Sequence, residues 1–158
     1  MRKRILKDEN TRSAPGETRD WLDIEHLAEV EITSEDPEHP IDAALSSAGS
    51  SGWRAAEPGE QKIRIVFDEP RPIRRIQLLF DENETPRTQE FVLGWSSDRG
   101  GSVRDILRQQ YNFNPPDTTR ELEEYQLDLS GVAAIELRIK PDISGGPSRA
   151  SLHQLRVS

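Results

Sequence analysis

Gly52-Trp53-Arg54-Ala55-Ala56 begins the stretch that decides the fold, because two alternating segments follow it. After the turn signal Glu57-Pro58-Gly59-Glu60, apolar residues occupy every second position: Ile63, Ile65 and Phe67. A second turn signal, Asp68-Glu69-Pro70-Arg71-Pro72, precedes another such series: Ile76, Leu78 and Phe80. Strict alternation indicates strands with one buried and one exposed face. We therefore predict two strands, over residues 62–67 and 73–80.

Similar short segments recur along the rest of the chain. Further strands are predicted for residues 28–33, 89–97, 125–129, 135–139 and 153–157. Residues 102–113 fit helical spacing as well as strand spacing, so the type of that element stays open. Seven or eight short strands separated by turns, with little helix, predict an all-β sandwich or barrel.

The chain has 158 residues and no cysteine, a length that favours one domain with a core large enough to fold without disulfides. We assign residues 1–20 to a polar N-terminal tail and residues 21–158 to a single domain. No apolar segment follows the basic residues at the N-terminus, so no signal peptide is predicted. No apolar run approaches the roughly 20 residues of a membrane span. We therefore expect a soluble, cytoplasmic protein without a membrane partner.

The formal net charge is −8, and acidic residues dominate residues 17–38. An acidic chain is poorly suited to nucleic acid, because phosphate contacts need a basic face. One interpretation of the segment is a solvated acidic surface that keeps the protein soluble. The other is a surface for a cation or for a basic partner protein.

Several short motifs carry a family resemblance through their order and spacing. They are Trp53 with the turn after it, Ile63-Arg64-Ile65-Val66-Phe67, Phe91-Val92-Leu93, the turn Ser97-Asp98-Arg99-Gly100, and the closing Ala150-Ser151-Leu152-His153-Gln154-Leu155. This order resembles the discoidin, or coagulation factor 5/8 type C, family of galactose-binding-like jelly rolls. The resemblance implies an antiparallel β-sandwich of two packed sheets, with its terminal strands close together and Trp53 in the core.

Many discoidin-like domains hold a structural calcium ion in a loop before this tryptophan. The matching stretch here has Ser46 and Ser47 where carboxylates are expected. Calcium requires six to eight oxygen ligands, and charged oxygens supply most of the affinity. Asp36 and Asp42 are therefore the candidate ligands of a weak calcium site, and no other cofactor is predicted.

Two polar stretches, residues 84–89 and 108–114, are candidates for a binding surface because both carry amide and guanidinium groups. The second stretch also contains the aromatic residues Tyr111 and Phe113. Such groups suit sugar hydroxyls, and an aromatic face suits a sugar ring. The predicted ligand contacts are hydrogen bonds from Arg87, Gln110 and Asn112, and stacking by Phe113.

The same stretches allow a purely structural interpretation. Tyr111 and Phe113 would then belong to the core, and Arg87 and Arg108 would pair with the abundant acidic residues. The sequence alone leaves both interpretations open.

No arrangement of residues predicts catalysis, since neither a nucleophile with a positioned base nor a recognisable pair of carboxylates is present. The predicted function is a non-catalytic module that binds a carbohydrate or related polar ligand through loops at one end of the sandwich. The alternative is a cytoplasmic protein–protein interaction module that uses the acidic N-terminal face. For that alternative, residues 53–60 are similar to the N-terminal domain of a eukaryotic single-strand-break repair scaffold, which is a protein-interaction module.

Overall fold

The computed structural model describes residues 21–46, 51–99 and 101–158. The polar tail predicted for residues 1–20 therefore lies outside the described residues, as do residues 47–50 of the serine-rich loop. Two one-turn helices and eight strands follow in chain order: α1 (Ile24–Leu27), β1 (Ala28–Ile32), α2 (Asp42–Leu45), β2 (Trp53–Pro58), β3 (Gln61–Asp81), β4 (Arg87–Ser96), β5 (Arg104–Phe113), β6 (Arg120–Lys140), β7 (Arg149–Leu152) and β8 (Gln154–Val157).

The two long strands β3 and β6 organise the sandwich, because each takes part in both layers. They pair antiparallel along most of their length. Residues 63–67 of β3 also pair with β1, whereas residues 76–79 pair with β8. The second half of β6 pairs with β4, which in turn pairs with β5. The register shifts between Val66 and Arg75 mark the place where β3 passes from one layer to the other.

The core lies between these layers and follows the alternation that predicted the strands. Residues contributed by β3 include Ile63, Ile65, Phe67, Ile76, Leu78 and Phe80, all of them buried. Phe80 stacks on Phe91 of β4 with ring centroids 5.3 Å apart. Trp53 is 1% exposed, and its Nε1 donates a hydrogen bond to the Ser34 carbonyl at 3.0 Å. The prediction that Trp53 anchors the core is therefore confirmed.

The predicted fold class, an antiparallel β-sandwich, is confirmed, but two predicted breaks between strands are absent. Strand β3 continues through Asp68–Pro72, and β6 continues through Ser130-Gly131, where breaks were expected. Bulged strands absorb an irregular residue without ending, so turn-forming residues can lie at the corner of a bent strand. Gly131 at this corner has φ +66°, a conformation that glycine adopts without steric cost.

Pairing settles the element that the sequence left open. Residues 104–113 form β5 because they lie against β4 in a ladder that joins Leu107 to Leu93 and Phe113 to Arg87. Strand β2 was missed by the sequence analysis and pairs with β7 through Trp53 and Leu152. The terminal segments lie side by side, as the resemblance implied, with the Leu22 amide donating to the Val157 carbonyl at 2.7 Å. Among the described residues no helix is long and apolar enough to cross a membrane.

Candidate functional site

A cleft of about 490 Å³ opens where the loop between β3 and β4 meets the loop between β6 and β7. Its walls also include residues of β2 and the junction between β7 and β8. Charged and hydroxyl side chains dominate the lining, which includes His39, Arg54, Asp81, Glu82, Glu84, Arg149, Ser151 and His153. A concave site with convergent polar groups at the loop end of a sandwich is a suitable place for a ligand.

The backbone brings two walls of the cleft unusually close together at Gly52. A Cβ atom at this position would lie 2.7 Å from the Cα of His153 and from the carbonyl oxygen of Leu152. Gly52 also has φ +72°, which disfavours other residues. The glycine therefore allows the start of β2 to pack directly against the junction that carries His153.

Glu82 organises the loop that forms one wall of the cleft. Its Oε2 accepts hydrogen bonds from the amides of Glu84 and Thr85, each at 3.0 Å. Its Oε1 accepts a hydrogen bond from Nε of Arg87 at 2.6 Å. Burial alone would raise the pKa of Glu82, but these hydrogen bonds outweigh it and hold the pKa below its usual value. The loop is thus held by an ionised carboxylate that is fully engaged with the protein.

The neighbouring carboxylate of Asp81 is also engaged. Arg120 donates to it through Nε at 2.9 Å, and Nδ1 of His153 lies 3.3 Å from its second oxygen. These contacts position the His153 ring at the cleft wall. They also leave the Asp81 carboxylate balanced by a protein cation.

The remaining charged groups of the cleft have no such partners. Within the described part of the chain, neither the exposed side chains of Arg54 and Arg149 nor that of Glu84 makes a hydrogen bond or an ion pair. Arg54 pairs across the β2–β7 ladder with Ser151, and Arg149 lies two residues before Ser151 on the same strand. Since side chains alternate along a strand, all three lie on the exposed face of this ladder.

The structure buries two of the four predicted contact residues. The Arg87 side chain is 1% exposed, its Nη1 donates to the Pro141 carbonyl at 2.7 Å, and its guanidinium lies 4.9 Å from the centre of the Phe113 ring. Phe113 is also 1% exposed. Neither side chain presents a free face to a ligand, so this arrangement matches the structural interpretation of these stretches. The physical reason is that both residues fall on the core-facing side of paired strands.

The other two predicted contact residues are exposed but lie on the β4–β5 ladder and do not line the cleft. Gln110 donates to Glu90 at 2.9 Å, and Asn112 accepts from the Thr88 hydroxyl at 2.6 Å. Glu90 also forms an ion pair with Arg108 at 2.6 Å. The hydrogen bond from Gln110 and the contact with Arg108 lower the pKa of Glu90. The four predicted residues are therefore not brought together in one site.

The candidate calcium ligands lie in the segment before α2 and at its first residue. Asp36 Oδ1 accepts the amide hydrogen of Glu38 at 3.0 Å, and Asp42 is exposed at the start of α2. In the three described ranges no group of three or more acidic or histidine side chains could hold a metal ion. The two carboxylates by themselves supply fewer oxygen ligands than the six to eight that calcium requires. Ser47, which belongs to the predicted calcium loop, lies outside the described residues.

A buried acidic group lies between the layers, close to Arg87. Glu121 is 2% exposed and accepts a hydrogen bond from Gln89 at 3.1 Å. Burial, together with the hydrogen bond and charge of Glu123, raises the pKa of Glu121 to about 9, and Gln89 and Arg87 offset only part of this effect. Glu121 is therefore protonated at neutral pH. The same acidic surroundings, added to burial, raise the pKa of Tyr125.

The cleft combines residues that the sequence analysis did not single out as a site. Arg54 was part of the opening motif and Ser151 and His153 were part of the closing motif, but both motifs indicated fold. Only residues 84 and 85 of a predicted binding stretch reach the cleft. The sequence feature that could have indicated the cleft was the number of polar residues beside Trp53 and in the last loop.

The fold is the discoidin-like jelly roll also found in family 32 carbohydrate-binding modules. One such module from Clostridium perfringens, solved with GalNAc-β-1,3-galactose, superposes with a TM-score of 0.65 at 18% identity, covering 87% of this chain and 99% of that one. The module of NanJ from the same organism, solved with galactose, gives a TM-score of 0.64 at 12% identity, covering 87% and 96%. At identities this low, the superpositions show that the chain and these modules share a fold.

No family model matches the chain. One curated relative is the phenylalanine–tRNA ligase β subunit of Gloeobacter violaceus, which is 32% identical over 101 residues. The match covers 63% of this chain and 13% of the ligase subunit. The chain therefore corresponds to a small part of that protein.

Proposed function

We propose that this chain is a non-catalytic module that binds a carbohydrate or related polar ligand in the cleft. The observation that carries the proposal is the polar cleft at the loop end of a fold whose solved neighbours include modules in complex with sugars. Guanidinium, imidazole, amide and hydroxyl groups around one concavity can satisfy the many hydroxyls of a sugar.

The hydrogen bonds of the cleft loop support this proposal. Glu82 fixes the amides of Glu84 and Thr85 before any ligand arrives. A loop that is already ordered does not lose further conformational entropy on binding, which favours affinity. Asp81 and Glu82 are also held in place, because each is bound to a protein cation.

The test is a titration of the full 158-residue chain followed by amide chemical shifts, with a panel of neutral and acidic sugars. We expect shifts centred on Asn83, Ser151 and His153. The variant Ser151→Trp would fill the cleft and abolish them, whereas Ser130→Trp, at an exposed position on β6, would leave them unchanged. Shifts that are absent for every sugar, or that persist in Ser151→Trp, would contradict the proposal.

A second candidate function is a protein-interaction module that uses the acidic N-terminal face. The specific observation in its favour is that the curated relative is a subunit of a larger enzyme. In the described part of the segment, Glu25, Glu29 and Glu38 are exposed, and the edge strand β1 pairs with β3. We expect a basic partner to be lost when these three residues are changed to lysine. A partner set unchanged by that reversal in a native pull-down would count against this candidate.

A further inference from the structure

The charged side chains that line the cleft differ in whether they are paired with an opposite charge of the protein. Two of its lining carboxylates are bound by protein cations: Asp81 by Arg120 at 2.9 Å and Glu82 by Arg87 at 2.6 Å. Neither is therefore available to repel or neutralise an incoming anion. The cations of the β2–β7 ladder, in contrast, have no protein partner among the described residues.

Arg54 and Arg149 are exposed at the cleft and make no hydrogen bond or ion pair within the described residues. Against these two guanidinium groups, the described lining residues include one unpaired carboxylate, that of Glu84. The local balance is positive in a chain whose formal net charge is −8. Among the described residues, the cleft therefore exposes two unpaired cations in a chain whose overall charge is negative.

The two arginines are placed to act on one ligand. They lie on the same exposed face, with Ser151 opposite Arg54 and two residues after Arg149. Residues two apart on a strand are roughly 7 Å apart, a spacing that long arginine side chains easily bridge. A guanidinium group binds a carboxylate or sulfate through two parallel hydrogen bonds, which a neutral hydroxyl cannot offer.

We infer that the cleft selects an anionic sugar, whose carboxylate or sulfate group is bound by Arg54 and Arg149. The inference rests on the proposed function and specifies its ligand class. Ser151, His153 and Asn83 surround the same space and supply hydrogen bonds to the sugar hydroxyls. A neutral sugar would offer the two guanidinium groups only uncharged hydroxyl acceptors, so it binds more weakly.

The experiment compares galactose with galacturonate and galactose-6-sulfate by calorimetry on the full chain at low salt. These sugars share a ring and differ at one position, so the comparison isolates the anionic group. We expect both acidic sugars to bind at least about tenfold more tightly than galactose, since a charge-assisted hydrogen bond is involved. The carboxylate and sulfate arms distinguish the two sources of the anion. The advantage should decrease as salt is added, because exposed charges are screened.

Matched variants assign the effect to the two arginines. Arg54→Gln and Arg149→Gln should each remove most of the advantage of the acidic sugars while leaving the thermal midpoint unchanged, because both positions are exposed. Arg74→Gln is the control, since Arg74 is an exposed arginine on β3 roughly 20 Å along the strand from Asp81. An effect of Arg74→Gln equal to the others would overturn the inference.

The outcomes separate this inference from the proposed function. Galactose binding as tightly as the acidic sugars, with all three lost in Ser151→Trp, would overturn the anionic preference and support the sugar-binding role. Inorganic sulfate is the fourth probe. Its binding at the cleft, with no sugar bound, would overturn both the sugar-binding role and the anionic-sugar inference and leave a simple anion site. Absence of binding by all four probes would overturn both.

Discussion

The Nε of Arg87 donates a hydrogen bond to Oε1 of Glu82 at 2.6 Å, and the arginine side chain is 1% exposed. The pair connects the interior to the cleft loop, because the same guanidinium covers Phe113 and reaches the Pro141 carbonyl. Arg87 is thus a positioning residue for the loop. The contact between Arg108 and Glu90 has the same length, but its arginine is 57% exposed.

These two pairs allow a matched comparison of stability. We expect Arg87→Ala to lower the free energy of unfolding by about 3–5 kcal/mol, because it leaves a partly buried carboxylate without its cation. We expect Arg108→Ala to lower it by less than about 1 kcal/mol, since an exposed pair is solvated in either state. Urea unfolding of both variants measures the difference. Similar losses in the two variants would show that burial does not set the strength of these contacts.

Alternation along strands predicts most of this fold and would also have predicted the position of Arg87. Phe91 and Leu93 face the core, so residues two and four positions earlier, Gln89 and Arg87, face it as well. Phe113 pairs directly with Arg87 across the β4–β5 ladder and therefore shares that face. The residue types suggested ligand contacts, but the period of the strand determined where the side chains lie.

The cleft could not be predicted in the same way. Its arginines come from β2 and β7, which are about 95 residues apart in the chain and meet through an irregular ladder. A sequence pattern reports which face of a strand is buried, but it does not report which strand lies beside it. Arg54 therefore indicated only an exposed position until its pairing with Ser151 was known.

Trp53 gives a second stability prediction. Its indole is buried and its Nε1 hydrogen bond to Ser34 ties β2 to the segment before α2. Trp53→Phe should destabilise the fold by roughly 2–4 kcal/mol, because it leaves a cavity and an unpaired carbonyl. Trp95→Phe is the control, since Trp95 is half-buried with Arg104 over its ring. Thermal or urea unfolding that ranks Trp95→Phe as the more damaging change would contradict this assignment.

Calcium provides a third prediction, from the donor set around Asp36 and Asp42. Two separated carboxylates are expected to bind calcium only at millimolar concentration. Adding 1 mM calcium should then stabilise the protein by less than about 1 kcal/mol. The double variant Asp36→Asn with Asp42→Asn should lose even this effect. A larger shift of the thermal midpoint that survives in the double variant would place a calcium site elsewhere in the chain.

Glu121 predicts how stability depends on pH. The folded protein keeps the Glu121 proton up to a pKa of about 9, whereas a glutamate in the unfolded chain releases it near 4.5. Because the pKa is raised in the folded protein, protonated Glu121 makes its full contribution to the free energy of unfolding below about pH 4.5. This contribution is lost progressively as the pH rises toward 9, because folding must then take up a proton.

Glu121→Gln should remove this dependence, because glutamine is neutral at every pH and its carbonyl can still accept the hydrogen bond from Gln89. We expect the variant to be more stable than the parent at pH 8–9 and to differ least from it near pH 5. Urea unfolding at pH 5, 7 and 9 makes the measurement, with Glu60→Gln at an exposed position as the control. Parallel pH profiles for the parent and Glu121→Gln would mean that Glu121 is already ionised in the folded protein at neutral pH.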